Sequence, residues 1–244
     1  MKLRVMTKTR AYHSGESMPS PGKRPGYLWD YYKLPIIIGL IIIYIVGYAT
    51  YRYAGKKETL LYTALVNVAP GEEFCRILSD GFLESLEADP KKMACLLYKG
   101  LYLTDDEADE HFSYTYASQM KILASIEDEQ LDIVLLNREA FDAFAQNGYL
   151  YDLRSFFSDP TLEKDLLSCY VEGTEILEDN AKEVSLDDTL EYQAVTRQYP
   201  MALDVSGFAL FQNAGFRDTV YLGVLANTPR KEMADQYIRY LYRE

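Results

Sequence analysis

The segment LDIVLLNREAFDAFAQNG, residues 131–148, decides the fold class. Leu131–Leu136 is a short aliphatic run holding a single acid, the composition of a strand buried on both faces. Asn137 follows where a helix N-cap belongs, its side-chain oxygen placed to take a backbone N–H from the next turn. Phe141, Phe144 and Ala145 then recur at helical spacing, and Asn147-Gly148 supplies the left-handed stop. Strand, cap, helix and stop in sequence make a β-α unit.

The same alternation recurs on either side. Upstream, Thr59–Val68 reads as a buried strand closed by Ala69-Pro-Gly71. Phe74, Ile77, Leu78, Phe82 and Leu86 mark an amphipathic helix ending at Asp89-Pro90. Met93–Leu103 reads as a second strand with a break at Gly100, and Phe112, Tyr116, Met120 and Leu123 as the apolar stripe of a helix from about Glu110 to Ile126. Downstream, a helix is expected near Leu162–Tyr170 and strands at Ala202–Phe211 and Thr219–Ala226. A last helix takes Thr228 as cap and Pro229 as its first residue. This order predicts one α/β domain over residues 60–244, three-layered, with a mostly parallel sheet between helices.

The chain of 244 residues is 48% hydrophobic and 25% charged, which excludes a disordered or low-complexity protein. Its charge is divided unevenly. Residues 1–53 hold eight Lys/Arg and two acids, leaving 17 basic and 35 acidic residues beyond them, a net of −18. So acidic a surface repels phosphate backbones, and no nucleic-acid partner is expected.

The stretch from Leu34 to Tyr53 carries one charge, Arg52, and about 20 residues of helix cross a hydrocarbon core of about 30 Å. It is apolar all round, without the polar stripe of a buried core helix. Tyr27, Trp29, Tyr31 and Tyr32 precede it and Tyr48, Tyr51 and Tyr53 close it, rings suited to headgroup depth. Lys2, Arg4, Lys8, Arg10, Lys23, Arg24 and Lys33 stand before it, against Arg52, Lys56 and Lys57 after it, so the N-terminus is expected in the cytoplasm. Gly47 and Ala49 would also suit a signal peptidase, but the long leader and long apolar stretch favour an uncleaved anchor. The expected layout is a basic cytoplasmic tail (1–33), a transmembrane helix (34–53), a linker (54–59) and an extracellular domain (60–244), the whole a single-pass protein of the cell membrane.

Enzyme chemistry has little to work with. The exported part has one histidine, His111, and no nucleophile-elbow Ser or Cys and no metal-ligand spacing of His and Cys, so a non-catalytic protein without metal or cofactor is expected. Cys75, Cys95 and Cys169 read as small core residues. The run Asp105, Asp106, Glu107, Asp109, Glu110 lacks the ligand order and turn glycine of a calcium loop, and reads as a solvated helix start. Glu72 and Glu73 occupy a helix start where an anion would otherwise bind. A small-molecule surface, if there is one, belongs at the carboxyl ends of parallel strands. The candidate ligand contacts there are Asn67, Asn137, Arg138, Asp204, Ser206 and Asn227, each with a helix-cap or turn role as its competitor.

LDIVLLN (131–137), Phe141 and QNGYLYDL (146–153) together resemble the segment of type 2 extracellular solute-binding proteins in which a strand ends at the cleft, a helix follows and the chain turns. PMALDVSG (200–207) and YLGVLANTP (221–229) are similar to the return of such a chain into its first lobe. The resemblance implies an α/β lobe over residues 60–153 and 200–244. A complete member has a second lobe, and Arg154–Tyr199 is too short for one with its own core. The chain therefore resembles a single-lobed, membrane-anchored relative, lacking the two-sided cleft that buries a small ligand. The implied function is a non-catalytic, binding-protein-like module of a Gram-positive envelope, binding a solute or a partner protein. The competing expectation is an accessory subunit of an envelope transport or secretion complex with no small-molecule ligand. A concave polar pocket at the strand ends would favour a solute, and an exposed apolar patch a protein.

Overall fold

The computed structural model describes residues 24–54, 57–109, 111–187, 189–216 and 218–243. Most of the expected basic tail, the residues before Arg24, and Glu110 at the expected start of a helix lie outside the described residues.

Helix α1 (Arg24–Ala54) runs through Pro35 without a break. Its aliphatic side chains between Leu34 and Val46, Ile43 at 69% among them, are open to the surroundings. Among the described residues no helix is long and apolar enough to cross a membrane. A second compact unit begins at Lys57.

That unit is an α/β structure with one mixed sheet of six strands. The elements are β1 (Glu58–Val66), α2 (Glu72–Arg76), a π-helical turn (Ile77–Gly81), α3 (Phe82–Ser85), β2 (Met93–Leu101), α4 (Phe112–Glu127), β3 (Ile133–Leu136) and α5 (Arg138–Gln146). They continue with α6 (Pro160–Leu166), β4 (Tyr170–Asp179), α7 (Ala181–Leu186), β5 (Ala194–Asp204), α8 (Ala209–Gln212), β6 (Tyr221–Val224) and α9 (Lys231–Arg243). The sheet order is β2-β1-β3-β6-β5-β4.

The expected mostly parallel sheet is corrected. Only β2-β1 and β1-β3 pair in parallel, while β3-β6, β6-β5 and β5-β4 are antiparallel. A parallel neighbour needs a long crossover, usually a helix packed on the sheet, and the last crossover that joins parallel strands is α4, between β2 and β3. From β4 onward the links hold only the short α7 and α8, which suits strands that reverse direction.

Successive side chains of a strand face opposite sides, and both sides are filled. Leu61, Leu65, Ile133, Leu135, Leu222 and Val224 face α2, α3 and α9, where Phe74, Phe82, Tyr237, Ile238 and Leu241 complete one core. Ala64, Val66, Val134 and Leu136 face the other way, against Ile122 of α4 and Phe141, Phe144 and Ala145 of α5. The two strands expected to be covered on both faces, around Leu61–Val68 and Leu131–Leu136, are interior strands, second and third from the β2 edge.

Local departures from the sequence pattern have physical causes. The π-helical turn releases carbonyls from the regular ladder, and α9 takes them up: Tyr237 Oη donates to Leu78 O at 3.0 Å and Tyr240 Oη to Ile77 O at 3.1 Å. The expected break at Gly100 is a bulge, with Ala64 opposite Tyr98 and Val66 opposite Leu101, and Gly100 at φ +70. On α4 the apolar spacing marked the wrong face. Thr115, Ser118 and Ile122 point inward, while Phe112, Tyr116, Met120 and Leu123 are 40, 73, 51 and 37% exposed. Strand β5 begins at Ala194, not Ala202, and ends at Asp204, after which Ala209–Gln212 is helical. Helix α9 starts at Lys231, so Pro229 precedes it.

Strand β6 pairs with β5 only from Ala202 to Asp204, whereas the β4-β5 ladder continues out to Asp179 opposite Ala194. The outer half of that hairpin is a two-stranded arm without a third strand. Its base is held where α5 crosses β4: a Cβ on Gly173 would lie 2.5 Å from Met201 Sδ, 3.0 Å from Ala145 Cβ and 3.1 Å from the Phe141 ring. We predict that Gly173→Val, overpacking this crossing, destabilises the chain by about 1–3 kcal/mol in denaturant unfolding, whereas Gly71→Ala, with open space around it, costs under about 1 kcal/mol.

Candidate functional site

The carboxyl ends of β1, β3 and β5 lie together because β3 runs parallel to β1, and β5, two strands away through antiparallel β6, points the same way. Five of the six candidate contacts are gathered there. Asn67, in the left-handed region at φ 56, clamps the exit of β2. Its Oδ1 accepts from Leu103 N at 2.8 Å, and its Nδ2 donates to Leu103 O at 2.6 Å and Asn137 Oδ1 at 3.1 Å. Asn137 Oδ1 also accepts from Ala140 N at 2.9 Å, the expected cap of α5. Asp204 accepts from Ser206 N at 2.9 Å, and Ser206 Oγ from Val220 N at 3.1 Å, closing the turn after β5. Arg138 pairs with Asp142 at 2.9 Å one turn along α5 and lies over the Phe141 ring.

Asn227 is not part of this group, which corrects its placement. It follows β6, which runs opposite to β3, so it lies at the other end of the sheet, where its Nδ2 donates to Ile126 O at 2.6 Å.

Two of the five, Asn137 and Arg138, line an open depression of about 700 Å³ together with Glu139, Asp142, Asp218 and Tyr221, while Asn67, Asp204 and Ser206 do not line it. Three of the lining residues are acids, and the one guanidinium is already engaged by Asp142. Such a surface disfavours an anion and covers a small molecule on one side only.

No protein-family model, curated protein or solved structure matches this chain. The chemistry of this end is therefore read from its own geometry.

That geometry offers few reactive groups. Cys75 and Cys95 are buried, and none of the three cysteines is bridged. Burial, with Asp132 and Asp80 adding to it, pushes the Cys95 thiol up to about 12, and burial raises that of Cys75 too. Cys169 is half-buried beside Ser168. His111 stacks on Tyr102 with ring centres 3.8 Å apart. In the acidic run, Asp106 and Asp109 bind the backbone N–H groups of Ala108 and His111, at 2.9 and 2.7 Å. Among the described residues no group of three or more His, Cys, Asp or Glu could hold a metal ion.

The most tightly built polar cluster was not among the candidates. Asp132, fully buried, accepts from Tyr62 N at 2.8 Å, Thr228 Oγ1 at 2.5 Å and Arg230 Nε at 2.9 Å. Arg230 also donates to Glu129 O and stacks over the Tyr62 ring at 4.7 Å. The signal was the lone acid inside the aliphatic run 131–136, since a buried carboxylate needs a charged or hydrogen-bonding partner. Every oxygen of Asp132 is occupied by the fold itself, so the cluster is a joint and not an open site.

Thiol labelling checks this picture. With maleimide at neutral pH, Cys169 of the folded chain should label, and Cys75 and Cys95 only after denaturation, as read by mass spectrometry of peptides. Equal labelling of Cys95 in the folded chain would contradict the burial that raises its thiol.

Proposed function

We propose that this chain is a membrane-anchored, extracytoplasmic, non-catalytic module that contacts another envelope protein. One observation carries the reading: the free outer half of the β4-β5 hairpin and its connection expose Leu177, Leu186, Leu190, Tyr192 and Val195, at 50, 89, 45, 53 and 57%. An isolated two-stranded ribbon gains little from projecting apolar side chains into water, and a group of them marks a protein-contact surface. Glu178, Asp179, Glu183, Asp187 and Glu191 surround them, which favours a protein contact over an anionic lipid surface.

The binding-protein-like reading is supported by the path of residues 200–204 and 221–224, which return to the same sheet as β1 and β3. The intervening segment adds α6, β4 and α7 to that unit rather than a second lobe. The anchor reading rests on the uncharged run within α1 and on the basic excess before it.

Three measurements on the full-length chain test this reading. Protease added to intact protoplasts should remove the acidic domain, and its protection would reject the topology. A photocrosslinking residue at Leu186 should give a discrete adduct in cells while one at Lys91 gives none, and equal patterns would reject the arm. A panel of sugars, amino acids and phosphate should leave the melting temperature unchanged. A ligand at 100 times its Kd would add about 2.7 kcal/mol, and a clear shift would return the function to solute binding.

A further inference from the structure

A second surface lies on the opposite face of the sheet from α9, between α4 and α5. It is an open groove of about 380 Å³ with Ile122 and Phe144 on its floor. Gln119 and Leu123 line the α4 side, and outside that lining the exposed Phe112, Tyr116 and Met120 extend from Leu123 as an apolar stripe at helical spacing along α4. From Phe112 to Leu123 the stripe is three turns long, about 16 Å. The facing wall and one end carry Glu139, Asp142 and Asp105.

We propose that this groove receives an amphipathic helix of a partner protein, with an apolar face for α4 and basic side chains for the acidic wall. Shape argues for a helix: the apolar wall is straight, recurs at helical spacing and is open along its length, whereas a small ligand needs enclosure on several sides. Charge argues for a basic one. The lining carries three carboxylates and no Lys or Arg, and only Asp142 is partly neutralised, by Arg138. Between Phe112 and Ile126 the single charge of α4 is Lys121, which is turned away over the Tyr98 ring of β2. A second copy of this α4 would bring no cation to the acidic wall, and the net −18 of residues 54–244 opposes its approach. The groove is distinct from the β4-β5 arm, so either surface can fail without the other.

The probe is a fluorescent 18-residue peptide with leucines along one helical face and lysines on both flanks. Its counterpart has glutamates in place of the lysines. Full-length chain in phosphatidylcholine nanodiscs is titrated by anisotropy, with empty discs subtracted. The lysine peptide should bind at least about tenfold more tightly than the glutamate peptide, with the preference shrinking as salt is raised. Tyr116→Ser/Met120→Ser should weaken binding about tenfold or more, since the stripe supplies the apolar contact. Both residues are more than half exposed, so the melting temperature should hold. Glu139→Gln should lose part of the lysine preference, and Lys121→Ala should lose nothing.

Equal binding by the wild type and the double variant would overturn the proposal, as would equal binding of the two peptides. Efficient disulfide crosslinking between two copies carrying Met120→Cys would overturn it in favour of a second copy.

Discussion

Asp132 is the point on which the sheet depends. Its carboxylate sits in the interior at the junction of β1, β3 and the turn from β6 into α9. Its backbone serves the same junction: Asp132 N donates to Tyr62 O at 2.9 Å and Leu225 N donates to Asp132 O at 2.8 Å. A buried charge is tolerated only when it is paired and fully hydrogen-bonded, so the chain leaving β6 must bring Thr228 and Arg230 to this place. A shift of β6 by one residue along β3 would take both partners away and turn Leu222 and Val224 to the wrong face. The joint thereby holds β6 between β3 and β5, and with it the position of the β4-β5 hairpin.

This dependence explains the pattern of what was legible. The unit over residues 131–148 was readable because its signals are local: an aliphatic run, a cap whose donor is three residues away, and a glycine at φ +68. The antiparallel half of the sheet was not, because it is set by contacts between Asp132 and residues near 230. Strand β4 was invisible for a related reason. Its ten residues include four acids and a Gly, the composition of an exposed edge strand.

Helix α4 shows why periodicity alone misleads. Its small polar residues Thr115 and Ser118 face the domain, where Ser118 Oγ accepts from Tyr102 N at 3.0 Å and Thr115 Oγ1 from Thr104 N at 3.3 Å. They secure the chain leaving β2, and the larger apolar side chains are left outside. The candidate polar residues at the strand ends met the opposite fate. Asn67, Asn137, Asp204 and Ser206 come together as expected, yet their hydrogen bonds hold turns and a helix cap. Polar groups are thus consumed by the fold and apolar ones are presented, and the proposed protein contact rests on that contrast.

The central structural claim is that the pairing of Asp132 with Arg230, and not the surrounding apolar packing alone, fixes this arrangement. A double-mutant cycle on unfolding of the chain, with Asp132→Asn, Arg230→Met and both together, measures it directly. Arg230→Met leaves the fully buried Asp132 carboxylate without its cation and should cost about 3 kcal/mol, while Asp132→Asn leaves a guanidinium that is 26% exposed and should cost less. The double variant should cost less than the sum of the two by more than about 1 kcal/mol. Costs that add to within about 0.3 kcal/mol would contradict the claim.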